Sequence, residues 1–524
     1  MKKTYILIMC SLFSLAPHAQ DCFGSYLRSI IESQEKGILV TARLIEACGL
    51  CDTLDVLRDN EYERRYLTGE IQSRITTSYT TYSQETFYAP KHRLYGYTLF
   101  AETDDFWEAT LGKSYNAITV ADVAAYIQQN CQFTKDYSND EEYSNPENVL
   151  YQFVTYHLLN RRLSANRLVN HYNERGFHPN TGKLGAAVCE YYTTMGDRRL
   201  LRTFESAESN GVCLNRFPRL DNYRRGTYQE LSCDPDKAGI AVDVSKAIAS
   251  DILNAVIYPI GQLLAFDEVT AHNMGKLRLR MDVASFFPEM ATNEIRMSGI
   301  TDESHKNVYL PNDVYPYLED LTVNSSTQFC YWTGRNNGWP NMQGDEFSVR
   351  GYSDFTLRLP PVPTDGTYEL RMAVQSAGSS RGIFQPYFGT DPDNLRPLGM
   401  PVDFRQSGDN TLHTDKGYVV SNIGYVTDTD DDVYNQMIDN ELHENGYMKG
   451  CMQYCAGAPG ASNMMRGNNY NLRVILGKQT MEADKTYYIR FRAMLDNTRQ
   501  FYMDYFEFCP ESVYDNPEEP EDIW

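Results

Sequence analysis

The sequence predicts a mixed α+β domain followed by an all-β sandwich domain, and three observations lead to this fold class. At 524 residues the chain is longer than one hydrophobic core usually serves, so two domains are expected. The first half mixes helical apolar spacing with short apolar runs. From about Lys276 onward, apolar and polar residues alternate between turns rich in Gly, Pro, Asn and Asp. This change places the domain boundary near residues 269–276.

Residues 1–20 have the pattern of a cleaved secretory signal peptide. Two lysines precede an apolar run of about eleven residues, and a small-residue cleavage site ends near Ala19. The run is too short for a bilayer, which needs roughly twenty residues. Lipid anchoring at Cys10 or Cys22 is the alternative, although neither follows the small residue that a lipobox requires. The sequence therefore predicts an exported protein, in the periplasm, on the outer-membrane surface or secreted.

The mixed domain is expected over residues 21–270. Helical spacing predicts helices over 26–57, from Asp104 as N-cap, over 119–129 with Thr119 as N-cap, and over 146–159 and 244–253. Apolar runs predict strands over 95–101 and Ala255–Ile260, and residues 205–235 have the composition of an insertion or a long hairpin.

The β-sandwich domain is expected over residues 276–512, with an acidic tail over 513–524. Its clearest strand candidates are 355–360, 367–372 and 487–493, where Arg and Glu alternate with apolar residues. Such alternation is typical of half-buried antiparallel strands with one polar face. The tail, which combines Pro with acidic residues, is predicted to be loose.

The composition excludes some partners. A formal net charge of -22 makes nucleic acid an unsuitable partner, because its phosphates would be repelled. After the signal, no stretch is long and apolar enough to form a transmembrane span. Twelve cysteines less Cys10 leave eleven, so at least one thiol is unpaired within the chain. Cys451 and Cys455 are the closest plausible disulfide. Cys48 and Cys51 have redox-motif spacing, but without its Trp and Pro a structural or incidental pair is favoured.

Three segments, in chain order, resemble the characteristic blocks of fasciclin-like domains. They are Thr98-Leu-Phe-Ala-Glu-Thr-Asp-Asp-Phe-Trp107, Val149-Leu-Tyr-Gln-Phe-Val-Thr-Tyr-His-Leu158 with the following 163–168, and Asn254-Ala-Val-Ile-Tyr-Pro-Ile-Gly-Gln-Leu-Leu264. Residues 44–54 also look like the first family helix. The chain departs from the family pattern where Glu102 replaces proline, Ala255 replaces glycine and Tyr258 replaces histidine.

The resemblance covers residues 26–268, about half of the chain, with 59–94 and 205–240 as insertions. It implies a compact β wedge with helices at its side, and an adhesion or extracellular interaction role without catalysis. It also implies structural positions for seven motif residues: Thr98, Phe100, Thr103, Asp104, Tyr156, His157 and Asn254. For His157 a ligand or base role is the alternative, and structural hydrogen bonding is favoured.

The second half is similar to a domain that follows fasciclin-like domains in exported proteins of gut-type Bacteroidetes. The similar stretches are 277–289, 344–347, 355–361 and 501–508. The last of these also resembles the closing strand of jelly-roll carbohydrate-binding modules. Proteins of this type often accompany glycan-uptake systems, so the resemblance also implies carbohydrate as a candidate ligand.

The segment 331–340 is the candidate glycan-binding site. Sugar recognition needs flat apolar faces for stacking and amide or guanidinium groups for hydroxyls. The segment combines them in Trp332, Arg335, Asn336, Asn337 and Trp339. The alternative interpretation, equally weighted, is that one or both tryptophans cap the sandwich core.

The acidic run 428–432 is a candidate calcium site, since Asp428, Asp430 and Asp432 offer the oxygen ligands that calcium prefers. The run lacks the glycine and the distal glutamate of an EF-hand loop. A solvated acidic loop is therefore favoured, and no cofactor is expected.

The leading functional hypothesis is an exported cell-envelope adhesion or interaction protein without catalytic activity, whose partner is an extracellular protein or glycan. The alternative is a carbohydrate-binding accessory of a glycan-uptake system. A polysaccharide-degrading enzyme is a distant third, since a glycosidase needs only two suitably separated carboxylates. No nucleophile elbow, phosphate loop, zinc-binding helix or dinucleotide fingerprint is present in the sequence. The oligomeric state is not indicated.

Overall fold

The computed structural model describes residues 37–80, 83–170, 187–206, 209, 211–221, 229–248, 254–296, 306–333, 341–375, 381–408, 423–451, 465–494, 500–518 and 521. Within these residues the fold is mixed α+β, most strand pairs are antiparallel, and no sheet closes into a barrel. The expected signal peptide and both lipobox cysteines lie outside the described residues.

The helices of the described chain are short and lie mostly in its first half. They are Leu39–Ala47, Cys51–Leu54, Asn60–Leu67, Asp104–Leu111, Val120–Asn130, Val149–Tyr156, Glu268–Gly275, Pro288–Thr292, Asp432–Glu444 and Glu511–Tyr514. Single 3-10 turns occur at Tyr115–Ala117, Ala165–Arg167, Pro235–Lys237, Val244–Lys246, Val283–Ser285, Met342–Gly344 and Met465–Gly467. Among the described residues, no helix has the length and apolar character that crossing a bilayer requires.

The strand Tyr97–Glu102 is the centre of a three-stranded sheet. Ala255–Ile260 pairs with it in parallel, and Leu158–Leu159 pairs with it in antiparallel orientation. The three family-like segments therefore meet in one sheet. Helices pack on one side of this sheet, and their core includes Trp107, Ile127 and Phe153.

Three predicted helices differ from the structure, two of them in their capping residue and one in its type and length. Thr103, not Asp104, caps Asp104–Leu111, since its hydroxyl accepts from the Phe106 backbone N–H at 3.2 Å. Asn148 caps Val149–Tyr156, so this helix begins three residues after Pro146. The helix predicted over 244–253 is, within its described residues, only a 3-10 turn capped by Asp243. Thr119 caps its helix as predicted.

A four-stranded antiparallel sheet covers the other side of the central strand. Its order is Ile240–Ala241, Gly211–Leu214, Leu200–Ser206 and Ala187–Thr193. The hairpin Arg219–Asp221 with Gln229–Ser232 extends from it, in the region predicted to form one. Phe100 and Tyr258 stack with ring centroids 5.6 Å apart in the core between the two sheets.

The second half consists of three sheets that share one hydrophobic core. In spatial order, the first has Arg74–Thr80, Ser83–Tyr88, Lys306–Tyr309, Thr327–Thr333, Asp345–Gly351 and Phe501–Met503. The second has Leu279–Asp282, Tyr505–Pro510, Gly366–Gln375, Asn471–Met481 and Tyr447–Lys449. The third has Leu321–Val323, Asp354–Arg358, Tyr488–Ala493, Ile383–Gly389 and Arg396–Pro397, and Val402–Asp403 also pairs with Ile383–Gly389.

The two halves are joined by shared elements. The hairpin of Arg74–Thr80 and Ser83–Tyr88 comes from the first half but pairs with Lys306–Tyr309 of the second. The region predicted as a boundary forms the helix Glu268–Gly275, whose Ala271 and Met274 belong to two different cores. The buried Arg93 contacts Asp59 at 2.7 Å and Glu289 at 2.9 Å, so one guanidinium group holds residues of both halves.

Candidate functional site

The seven family-motif residues lie together in the first half. The Thr98 hydroxyl donates to the Arg161 carbonyl at 2.7 Å, and the carboxylate of Asp104 accepts from the N–H groups of Leu39 and Val40. The Tyr156 hydroxyl donates to the Leu200 carbonyl, and Asn254 Nδ2 donates to the Leu54 carbonyl. These side chains hydrogen-bond to backbone groups of neighbouring segments. They connect the parts of the mixed fold.

Trp332 lies in the strand Thr327–Thr333, opposite Glu346 of the next strand. Only 9% of its surface is exposed, so Trp332 itself offers little face for a sugar to stack on. Arg335, Asn336, Asn337 and Trp339 lie outside the described residues. A glycan site on their loop stays a prediction, to which Trp332 adds little exposed surface.

The three aspartates of the predicted calcium site are placed differently from one another. Asp428 contacts Lys449 Nζ at 2.7 Å and Arg466 Nε at 2.5 Å, and these cations hold the pKa of its carboxyl below the usual value despite burial. Asp430 precedes Asp431, the N-cap of the helix Asp432–Glu444, and Asp432 lies in its first turn. In the described part of the chain, no group of three or more His, Cys, Asp or Glu side chains is arranged to hold a metal ion. Calcium binding stays a prediction.

The polar face of the second half's five-stranded sheet carries a buried ion network. Glu507 lies at its centre and contacts Arg280 Nε at 2.7 Å, Arg473 Nη1 at 3.0 Å and Arg371 Nη1 at 3.5 Å. Burial acts to raise the pKa of Glu507, but the surrounding guanidinium groups hold it well below its usual range. Arg371 also binds Glu369, which in turn contacts His443 at 3.0 Å.

This network corrects the interpretation of the strand pattern. The alternation over 367–372 predicts a polar face toward solvent, yet Glu369 and Arg371 are 1% and 0% exposed. The helices Asp432–Glu444 and Glu511–Tyr514 lie over the sheet and exclude water from that face. Because the side chains carry opposite charges, they pair there instead of facing solvent.

The chain end takes part in the same network. Glu521 binds Arg371 with both carboxylate oxygens, at 2.6 and 2.8 Å, and also contacts Arg278 Nη1 at 2.9 Å. The prediction of a loose tail is therefore wrong at this residue. The physical reason is that the guanidinium groups of Arg371 and Arg278 bind its carboxylate.

A cleft of about 310 Å³ opens beside this network, between the helix Asp432–Glu444 and the C-terminal segment. Its polar lining comprises Gln436, Asp439, Asn440, His443, Glu444, Lys449, Arg466, Arg473, Asn516 and Glu521, and Tyr514 lines it with Val513 and Met448. Known ligand sites start at about 300 Å³. The cleft therefore accommodates a small polar group or a short segment of a larger ligand.

The helix beside the cleft also presents apolar side chains to solvent. Val433 and Met437, one turn apart, are 81% and 54% exposed, whereas Ile438 and Leu442 of the same helix are buried. A shallow recess runs along this exposed side. One helix thus carries both an exposed apolar pair and a polar row that lines the cleft.

Sequence reasoning did not identify this site. The helix had a detectable signal in the N-cap Asp431 and in the Ile438 and Leu442 spacing. The assembly of Arg278, Arg371, Arg473 and Glu521 had none, because these residues come from two strands, the position before a third strand and the C-terminal segment.

The two cysteines with redox-motif spacing are placed as a structural pair would be. Cys48 is buried, and its burial raises the pKa of the thiol to about 12. A redox-active cysteine needs a lowered thiol pKa. Cys455, one half of the predicted disulfide, lies outside the described residues, and the thiol of Cys451 is buried beside Met465.

Comparisons with known proteins return little similarity. No family model matches the chain, and no curated protein matches it. Among solved structures, the chain is similar to the K1 cleaved adhesin domain of Lys-gingipain (Kgp) from Porphyromonas gingivalis W83, at 12% identity and a TM-score of 0.17. The alignment covers 40% of this chain and 98% of that domain. A TM-score of this size carries no argument about fold or function.

Proposed function

We propose that the protein is an exported, non-enzymatic interaction protein of the cell envelope that binds an extracellular partner at the helix Asp432–Glu444. The exposed side of that helix carries the proposal. It joins the apolar pair Val433 and Met437 to a cleft lined by amide, acid and cationic groups. Protein-binding surfaces combine an apolar centre with a polar rim in this way.

The proposal includes a fasciclin-like first half and a sandwich-like second half, as the sequence resemblance implies. Two observations support it. The three family-like segments meet in one sheet of the first half, and the three sheets of the second half share one core. Exposed positions on an otherwise packed scaffold are the natural place for a binding surface.

A glycan is the second candidate partner, and the polar row of the helix favours it. Gln436, Asn440 and Glu444 follow one another at four-residue spacing and all line the cleft. Their amide and carboxylate groups suit sugar hydroxyls. Tyr514 adds an aromatic ring, over which Lys478 Nζ lies at 4.0 Å.

Two double variants separate the candidates. Val433→Asp with Met437→Lys removes the apolar pair, and Gln436→Ala with Asn440→Ala removes the amides. The control, Gln128→Ala with Gln129→Ala, changes exposed residues on a different helix. Partner capture by cross-linking envelope proteins and binding to a glycan array are the measurements.

A protein partner predicts that the apolar variant loses cross-linking while the control keeps it. A glycan partner predicts that the amide variant loses array binding. If neither variant differs from the control in either measurement, the helix is not the binding surface and the proposal fails.

A further inference from the structure

Glu521 and Arg371 form a two-point contact of the kind that receptors use to recognise carboxylates. Both oxygens of Glu521 accept from the two terminal nitrogens of Arg371, at 2.6 and 2.8 Å. Arg278 Nη1 adds a third contact at 2.9 Å, and Arg473 Nη1 lies 3.9 Å away. Paired contacts from a planar guanidinium are stronger and more selective than single ones.

Glu521 adds a third carboxylate to the buried ion network of the sheet. Four guanidinium groups, from Arg278, Arg280, Arg371 and Arg473, surround the sheet carboxylates Glu369 and Glu507. The carboxylate of Glu369 also contacts His443 and, at 4.0 Å, the ammonium group of Lys478. Without Glu521, the two terminal nitrogens of the buried Arg371 lose the carboxylate that they share, and a buried guanidinium is stabilised when another anion takes that place.

A short segment joins the occupant to the helix Glu511–Tyr514. Six residues lie between Glu521 and the end of the helix Glu511–Tyr514, and Glu518 among them is exposed. Arg473 and Glu521 both line the cleft, so a ligand in the cleft lies next to the arginines. A partner carboxylate can therefore reach the same atoms once Glu521 leaves.

The depth of the site favours a peptide carboxylate over that of an acidic sugar. With Glu521 bound, the side chains of Arg371 and Arg473 are 0% and 2% exposed and that of Glu521 is 14% exposed, so the bound carboxylate lies below the surface. A glutamate side chain does this with two slim methylene groups. In a uronic acid the carboxylate is bonded directly to the ring, and the ring itself would have to enter.

We infer that Arg278, Arg371 and Arg473 form a carboxylate-binding site that Glu521 fills from within the chain and that an acidic peptide segment of a partner takes over. The inference rests on the proposed function, because it names the chemistry of the partner that the cleft beside the arginines would bind. The tethered Glu521 competes at an effective concentration on the order of millimolar, so the intact chain binds such peptides weakly.

The test uses the exported chain and two variants, Glu521→Gln and a chain ending at Glu518. The probe is a fluorescein-labelled peptide with the sequence of residues 513–524, followed by fluorescence anisotropy at low salt. We expect the shortened chain to bind the probe at least tenfold more tightly than the intact chain, with Glu521→Gln in between. A probe carrying Glu521→Gln should bind the shortened chain at least tenfold more weakly, whereas one carrying Glu518→Gln should bind unchanged.

Equal binding of the probe to the intact and shortened chains overturns the inference, as does equal binding of the Glu521→Gln probe. Binding of an oligogalacturonate to the shortened chain, with no binding of the peptide, also overturns it in favour of an acidic glycan. These outcomes leave the proposed function standing if the helix variants still lose their partner. If the helix variants keep their partner while the peptide result is as expected, the proposed function alone fails.

Discussion

Nε2 of His157 lies 2.7 Å from Oε1 of Glu102, and both side chains are buried. His157 Nδ1 donates to the Phe153 carbonyl at 2.7 Å, because a carbonyl oxygen can only accept. Glu102 also accepts from the Leu264 backbone N–H at 3.1 Å. The pair thus connects the three family-like segments.

Replacing Glu102 by Ala should destabilise the protein, because it leaves Nε2 of the buried His157 without the carboxylate that it contacts. We expect the free energy of unfolding to fall by about 2–4 kcal/mol, measured by urea denaturation. Glu141→Ala, in an exposed loop, is the matched control and should stay within about 0.5 kcal/mol of the parent. A Glu102→Ala protein as stable as the control would show that the pair carries no structural role.

Arg93 should tolerate no substitution, including lysine. Its guanidinium contacts Asp59, Glu289 and Glu319 and donates from Nε to the Tyr317 carbonyl at 2.8 Å. A lysine ammonium cannot reproduce this fork of contacts, so Arg93→Lys should cost about 3 kcal/mol or more. Thermal unfolding measures this loss of stability, and Arg58→Lys, at a half-exposed position, is the control. Equal melting temperatures would contradict the role of Arg93 as a link between the halves.

Stability should fall as the pH rises from 5.5 to 8.5. Burial raises the pKa of Glu346 to about 8, against the opposing charges of Arg381 and Arg350. Since the unfolded carboxyl titrates near 4.5, the contribution of the neutral group is full below that pH and is lost as the pH approaches 8. The buried Asp282 and Asp504, whose pKa values are also raised by burial, act in the same direction.

The variant Glu346→Gln tests this directly, because glutamine keeps the neutral shape at every pH. The free energy of unfolding, measured by urea denaturation at the two pH values, should change less for Glu346→Gln than for the parent, by an amount on the order of 3 kcal/mol. Glu511→Gln, on the surface, should leave the difference unchanged. A parent protein that is more stable at pH 8.5 would contradict the prediction.

The docking of Glu521 should have the opposite pH dependence. Burial opposes ionisation of Glu521, but Arg371, Arg278 and Arg473 bring its pKa down to about 2. Its contribution is therefore present above the ordinary value of 4.5 and is lost as the pH falls toward 2. Proteolysis of the C-terminal segment should stay constant from pH 8 to 5 and become faster only below about 4. Faster cleavage already at pH 6 would show that the ion pairs do not hold the segment.

Cys48 should resist alkylation in the native protein at pH 7.5, since burial raises the pKa of its thiol to about 12 and hides the sulfur. Labelling with iodoacetamide followed by mass spectrometry should modify Cys48 only after unfolding in urea. A disulfide between Cys48 and Cys51 in the native protein would contradict this expectation.

Local patterns in the sequence predicted much of the secondary structure. The strand Ala255–Ile260 was predicted at its observed bounds, and Thr119 was predicted as the cap that it is. Both depend on neighbours only a few residues away, through apolar runs and capping hydrogen bonds. The prediction of a helix over 244–253 was wrong at Ile248. This residue pairs with Ile257 in a β-bridge, a tertiary contact that helical spacing does not reveal.

The candidate site needed the tertiary structure. A period of two shows that Glu369 and Arg371 share one face of a strand, but it does not show whether that face meets water or another layer. Here the face is covered, and Glu521 binds Arg371 across 150 residues of sequence.

The sequence by itself determined where apolar and polar residues recur, and hence many of the segments that become helices or strands. Only the tertiary structure decided which strands pair across the two halves, which polar faces are buried, and where the charged chain end binds. The physical reason is that periodicity and capping act over a few residues, whereas ion pairing and burial depend on chain segments that folding brings together.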